Sequence, residues 1–145
     1  MASVDPTLTA VQGWFDEHAP THLAGAWDNV GLIAQSPVPS EATGVFLAVD
    51  LTPAVAEELL ARGDIRVDVG YDPVIVGGVK ALTMHNALQR SILRCIAAGI
   101  HLYCPHTTLD ACHGGINDWL IAGLSHAWET CAPGDLYSAV QHATY

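Results

Sequence analysis

Two side chains suited to chemistry stand four positions apart in His106-Thr107-Thr108-Leu109-Asp110. One helical turn at that spacing sets an imidazole beside a carboxylate, a pair able to hold a divalent cation. A further carboxylate, Asp72, lies in Gly70-Tyr71-Asp72-Pro73, directly after an apolar run. With Tyr71 beside it, Asp72 can serve a metal or a substrate hydroxyl. Asp50 follows the run Val45-Phe46-Leu47-Ala48-Val49, the place where open α/β sheets bind ligands. Each also has a structural reading: a hydrogen-bonded turn for His106 and Asp110, and a helix cap for Asp50.

The elements that must position these groups follow from periodicity. Val11, Trp14, Phe15 and His18 mark one face of a helix over Pro6 to His18, with Asp5 as cap and Pro6 in the first turn. His18 reads as structural at the helix C-terminus. Trp27 reads as a core anchor, and Asp28-Asn29 with Gly31 as a turn feeding a short strand, Asp28 being a turn or capping carboxylate. Gln35 to Thr43 is a loop. Val45 to Val49 is a continuous apolar run, expected of a strand buried on both faces of a parallel sheet. Thr52 and Pro53 then open a helix with Val55, Leu59 and Leu60 inward, and Gly63 ends it.

Ile65 to Val69 is the next strand, completing a β-α-β unit with an expected right-handed crossover. Met84 to Ala98 reads as a helix with Leu88, Ile92, Cys95 and Ile96 buried, His85 exposed and Gly99 as its stop. Ile100, Leu102 and Cys104 alternate with His101, Tyr103 and Pro105 as a strand. Gly114-Gly115 makes a turn, and Asn117-Asp118 heads a helix whose apolar side includes Leu120, Ile121 and Leu124. Beyond Ser125 the pattern weakens: Pro133-Gly134 marks a turn, and the tail 125–145 carries no clear motif. Parallel strands end on one rim, so Asp50, Asp72 and the His106/Asp110 pair converge there, and a bound water at such a site is a nucleophile near neutral pH.

Composition narrows the classes. With 145 residues, 50% hydrophobic and 14% charged, the chain fits a single α/β domain over 1–145 with its own core. A formal charge of −10 repels phosphate backbones, so nucleic-acid binding through a basic footprint is not expected. No apolar run reaches the roughly 18 residues of a membrane span, and no secretory or basic amphipathic leader is visible, so a cytoplasmic or nuclear location is expected. Cys95, Cys104, Cys112 and Cys131 show no C-x-x-C spacing and read as reduced thiols. A zinc site from Cys104, His106, Cys112 and His113 fits no standard spacing. Phosphate-loop, dinucleotide and G-x-S-x-G signatures are absent.

Four segments occur in an order that resembles the Nif-three-like family, often labelled GTP cyclohydrolase 1 type 2 homologues. They are Trp27-Asp28-Asn29-Val30-Gly31-Leu32, Val49-Asp50-Leu51-Thr52, His106-Thr107-Thr108-Leu109-Asp110 and Gly114-Gly115-Ile116-Asn117-Asp118-Trp119-Leu120. The likeness runs from Val11 to Leu124 and covers the first half of the family fold. It implies a mixed, mostly parallel sheet flanked by helices, a pair of bound divalent metals and a ring-like hexamer. The family's ligands come from a His-His-Pro turn, an H-T-x-x-D segment and a later H-x-x-x-E segment. His106 and Asp110 match the second of these. Tyr71-Asp72-Pro73 stands at the first, with neither histidine, and His126-Ala127-Trp128-Glu129 does not match the third in spacing or place.

The expectation is therefore a divalent-metal-binding protein with a weakened site. Its ligands are Asp72, His106 and Asp110, its ion is Mg, Mn, Zn or Fe, and no activity is secure. The alternatives are a metal-dependent hydrolase of a nucleotide-like or other small substrate, and an interaction protein binding a transcriptional co-regulator, as the family name implies. No residue recognises guanine by a known motif.

Overall fold

The computed structural model describes residues 5–130, with the side chains of 125–130 outside that description. Cys131, the turn at Pro133-Gly134 and the rest of the tail also lie outside it. Ten elements follow in order: α1 (Pro6–His18), a short 3-10 turn (Thr21–Leu23), β1 (Gly31–Ala34), β2 (Gly44–Ala48), α2 (Pro53–Arg62), β3 (Ile65–Gly70), α3 (Ala87–Ala97), β4 (His101–Cys104), α4 (Thr107–Ala111) and α5 (Ile116–Thr130). The four strands form one sheet in the order β1-β4-β3-β2. β2, β3 and β4 run parallel, and β1 lies antiparallel on β4. This is a mixed, mostly parallel sheet flanked by helices.

Local chemistry sets the helix ends. The Asp5 carboxylate accepts the Leu8 N–H at 2.9 Å, Thr52 Oγ1 accepts that of Val55 at 3.2 Å, and Asn86 Oδ1 accepts that of Gln89 at 3.0 Å. Each satisfies an orphan donor of a first turn. The Asn86 cap starts α3 three residues later than the apolar pattern predicted. Gly63 closes α2 at φ +71°, a left-handed value that glycine takes without strain. Between α4 and α5 the chain turns so tightly that a Cβ on Gly115 would lie 2.1 Å from the Leu109 carbonyl oxygen.

The sheet is covered on both faces. On one, α2 and α3 pack together and against the strands, burying Leu51, Ala56, Leu59, Ile65, Ile92, Cys95, Ile100 and Leu102. On the other, α1 lies over β3, burying Leu8, Phe15, Ala19, Val67, Val69, Tyr103 and Cys112. Neighbouring residues Leu102 and Tyr103 fall into opposite cores, as strand alternation requires. Cys95, Cys104 and Cys112 are free, buried thiols. Burial, as the leading cause, pushes the Cys95 and Cys104 thiols up to about 12.

Three expectations change, and on α3 Leu88 is also exposed rather than buried. β2 is not buried on both faces: it is an edge strand, and Val45, Leu47 and Val49 stand 43%, 75% and 63% exposed, because α1 covers β3 instead. Trp27 is no core anchor but 76% exposed. On α1, Trp14 turns outward and Leu8 takes an inner position.

Two polar groups inside the fold carry their own electrostatics. The Arg66 guanidinium donates to the Asp5 carboxylate and to the carbonyls of Val38 and Gly99. His101 accepts the Ser36 N–H on Nδ1 at 3.0 Å, so its proton sits on Nε2, 3.3 Å from Asp5. Burial would raise the Asp5 carboxyl, but its bonds from Leu8, Arg66 and His101 outweigh this and hold it at about 2. Asp68 is 1% exposed and its Oδ1 has no hydrogen-bond partner. Burial pushes its carboxyl up to about 6.

Candidate metal site at the strand rim

The C-terminal ends of β2, β3 and β4 share one rim, and the three segments that leave them are stitched together. The Tyr71 and Asp72 N–H groups donate to the carbonyls of Ala48 and Val49, both at 2.9 Å, and the His106 N–H donates to the Tyr71 carbonyl at 3.2 Å. Asp50, Asp72 and His106 therefore meet at this rim, as the parallel topology predicted.

His106 occupies the turn between β4 and α4 at φ +32° and ψ −121°. It is the single non-glycine residue with positive φ among the described residues. A strand-to-helix elbow of this kind lifts a side chain above the sheet at the expense of backbone strain.

The imidazole is fixed from behind. Its Nδ1 lies 2.8 and 2.9 Å from the two oxygens of Asp28. A carboxylate can only accept, so Nδ1 carries a proton, and in the neutral ring the lone pair lies on Nε2. The Asp28 side chain is 1% exposed and also accepts the Asn29 N–H, the Thr107 N–H and the Thr107 hydroxyl. Burial opposes its ionisation, but the bonds from Thr107, His106 and Asn29 prevail and lower its pKa.

Asp28 is thus not only a turn residue. Its signal lay in strand direction: β1 is antiparallel, with Gly31 paired to Cys104. The residues preceding β1 consequently lie on the rim where the parallel strands end. Trp27 joins them, its ring edge-on to His106 with centroids 6.0 Å apart.

His106 Nε2 faces Asp72 Oδ1 at 3.5 Å. Burial first, then the Asp50 carboxylate, raises the pKa of Asp72, with His106 pulling the other way. Asp110 is differently engaged. The Tyr71 hydroxyl donates to its two oxygens at 2.9 and 3.0 Å, and burial followed by Asp110 pushes the phenol up to about 12.

The helical spacing predicted His106 and Asp110 side by side. Instead the ring is held by Asp28 and faces Asp72, while Asp110 serves Tyr71, because His106 sits at the cap of α4 rather than within it. His113 and Asp118 form a separate, exposed pair.

The donor set fits a divalent cation in part. A neutral imidazole with a free Nε2, oriented by a carboxylate, is the usual form of a metal-binding histidine, and Asp72 supplies an adjacent hard oxygen. Among the described residues, however, no group of three or more His, Cys, Asp or Glu side chains is gathered to hold an ion. A cavity of about 720 Å³ lies away from this rim, lined by Asp5, Arg66, His101 and the loop from Gln35 to Thr43. Among the described residues no helix is long and apolar enough to cross a membrane.

Comparison with known proteins agrees with the fold and the motifs. The family model Duf34/NIF3 (NGG1p interacting factor 3) matches residues 6–132. The Protein NIF3 homolog of Schizosaccharomyces pombe is 46% identical over 104 residues, covering 71% of this chain and 37% of that protein. The NGG1-interacting factor 3 of Saccharomyces cerevisiae is 38% identical over 109 residues, covering 70% of this chain and 38% of that one. A solved Bacillus cereus protein related to NIF3 superposes with a TM-score of 0.72 at 30% identity, over 84% of this chain and 33% of its own. The chain thus spans well under half the length of these relatives. By the extent of that match, the chain belongs to the Duf34/NIF3 family.

Proposed function

We propose that the chain binds one divalent cation at the strand rim, weakly, and that it has no secure catalytic activity of its own. The observation that carries this reading is the His106 imidazole, oriented by buried Asp28 and presenting Nε2 3.5 Å from Asp72. That separation is long for a hydrogen bond. It is near the roughly 3.0–3.4 Å between two neighbouring ligands of one divalent ion.

The carboxylate at Asp72 favours hard or borderline ions, Mg²⁺ or Mn²⁺ ahead of Zn²⁺ or Fe²⁺. A cation held here would supply Lewis acidity and lower the pKa of a bound water. The protein's share is to fix the imidazole through Asp28 and to keep its proton on Nδ1. The hydrolase reading needs both.

The test is metal content by mass spectrometry on protein purified without chelator or affinity tag, beside a His106→Ala/Asp72→Asn double variant. Metal near one equivalent that disappears in the variant supports the site. Equal content in both proteins rejects it.

A second reading is an interaction protein, consistent with the name of the yeast relative, NGG1-interacting factor 3. Exposed Leu47, Val49, Trp119 and Ile121 favour it, since large apolar groups in water mark contact surfaces. Assembly into a homo-oligomer would use the same surfaces. Sedimentation across a concentration series tests this: association that Leu47→Lys/Ile121→Lys abolishes supports it, and a monomer throughout rejects the homo-oligomer.

A further inference from the structure

At the opposite end of the sheet from the rim, a buried arginine keeps unused donors. Arg66 stands near the start of β3, about 13 Å along the strand from Gly70, and is 5% exposed. Three acceptors lock its guanidinium: Nε donates to Asp5, and Nη1 to the carbonyls of Val38 and Gly99. A guanidinium carries five N–H donors, so the two on Nη2 remain, and they have no acceptor among the described residues. Nη2 is not sealed in the core either. It opens on the cavity of about 720 Å³ that Arg66 helps to line.

The other buried groups on this floor are satisfied. Asp5 accepts from Leu8, Arg66 and His101, and His101 accepts the Ser36 N–H. The Ser36 hydroxyl donates to the Ile96 carbonyl and accepts the Val38 N–H. The floor is thus rigid and offers one open donor group. The wall differs: Pro6, Pro37, Val38 and Pro39 are apolar, and Glu41 is an exposed carboxylate that makes no ion pair among the described residues.

These charges select a ligand. Asp5 already balances Arg66, and Glu41 adds a negative charge, so a phosphate dianion is repelled, as it is by the net charge of −10. A simple amine leaves Nη2 without an acceptor. A zwitterion answers both: its carboxylate accepts from Nη2 and its ammonium pairs with Glu41. The volume admits a molecule of amino-acid to dipeptide size, and the proline wall suits an apolar side chain.

We propose that this cavity is a binding site for an apolar amino acid or short peptide in its zwitterionic form, held by Arg66 Nη2 at the floor and Glu41 at the wall. None of its residues belongs to the strand rim, so it stands apart from the metal-binding reading.

Calorimetric titration of the full chain with L-leucine and leucyl-leucine tests the site, beside leucinamide, which lacks the carboxylate, and N-acetyl-leucine, which lacks the amine. At least one of the two zwitterions should bind, and leucinamide should bind at least about tenfold more weakly than L-leucine. Glu41→Gln, a change on an exposed loop, should weaken the zwitterion about two- to fivefold and leave N-acetyl-leucine unaffected. Arg66→Lys, checked for folding by thermal melting, should lose the preference for L-leucine over leucinamide.

No binding of either zwitterion at about 10 mM overturns the site. Equal affinity for L-leucine and leucinamide removes Arg66 as the carboxylate's partner, and an unaffected Glu41→Gln removes Glu41 as the ammonium's. Inorganic phosphate that binds more tightly than either zwitterion overturns the ligand class.

Discussion

His106 Nδ1 lies 2.8 Å from the carboxylate of Asp28, a residue 78 positions earlier in the chain. That contact fixes the ring's tautomer and aims Nε2 away from the protein toward Asp72. It also ties β1 to β4 at one end of their pairing: the turn that opens β1 holds the histidine that follows β4.

Asp28→Asn is expected to lower divalent-metal affinity by about 10- to 100-fold, the usual consequence of losing a group that orients a ligating histidine. It also removes charge-assisted hydrogen bonds, worth about 1.5–3 kcal/mol together with the buried donors left unpaired. Competition titration with a fluorescent chelator measures the first effect and urea denaturation the second. Unchanged affinity in a folded variant would show that Asp28 is only a turn residue.

Backbone strain at position 106 gives a separate prediction. At φ +32° alanine keeps the penalty of a left-handed conformation and glycine escapes it. His106→Gly should therefore be more stable than His106→Ala by about 1 kcal/mol or more, reversing the order seen within helices. Equal midpoints in urea would mean the elbow is not strained.

Much of this was legible in the sequence, though not all. Asp5, Thr52, Pro53 and Gly63 marked helix ends through chemistry local to a few residues, and each was read correctly. Asp50, Asp72 and His106 were placed on one rim because β-α-β connections keep strands parallel. Asp28 was missed because its partner depends on β1 running antiparallel, a choice made by pairing with β4 rather than by nearby residues. Trp27 and β2 failed for a related reason. An apolar residue or run records a tendency to be buried, but α1 and the sheet order decide which faces are covered. The contact between Tyr71 and Asp110 likewise spans 39 positions and has no spacing rule.

Asp68 makes the protein more stable in mild acid than above neutrality. Burial holds its carboxyl at about 6 in the fold against an ordinary value of 3.8. The unfolded chain therefore ionises first, and a cost of about 3 kcal/mol builds as pH rises from 3.8 through 6. Asp68→Asn should raise the melting temperature at pH 8 and flatten its dependence between pH 4 and 7. A variant with the wild-type slope over that range would remove Asp68 as its source.

Asp5 acts with the opposite sign. Its pKa falls from 3.8 to about 2, so the stabilisation, about 2–3 kcal/mol, is complete above 3.8 and lost as pH falls through 2. Asp5→Asn should be destabilised at pH 7, where it leaves buried Arg66 without its counter-ion. The gap to wild type should then close near pH 2. Melting curves at pH 2, 4 and 7 check this, and a constant gap would contradict it.

The buried thiols have a bearing on how any of these measurements is made. With pKa values pushed to about 12, Cys95 and Cys104 hold on the order of one thiolate in 10⁵ at neutral pH. They neither oxidise readily nor compete for soft ions. These two thiols therefore create no need for dithiothreitol and similar reductants, which chelate the metals under study. Whatever these two residues contribute, it is packing, and the oxygen and nitrogen donors at the rim can be counted without a sulfur background from them.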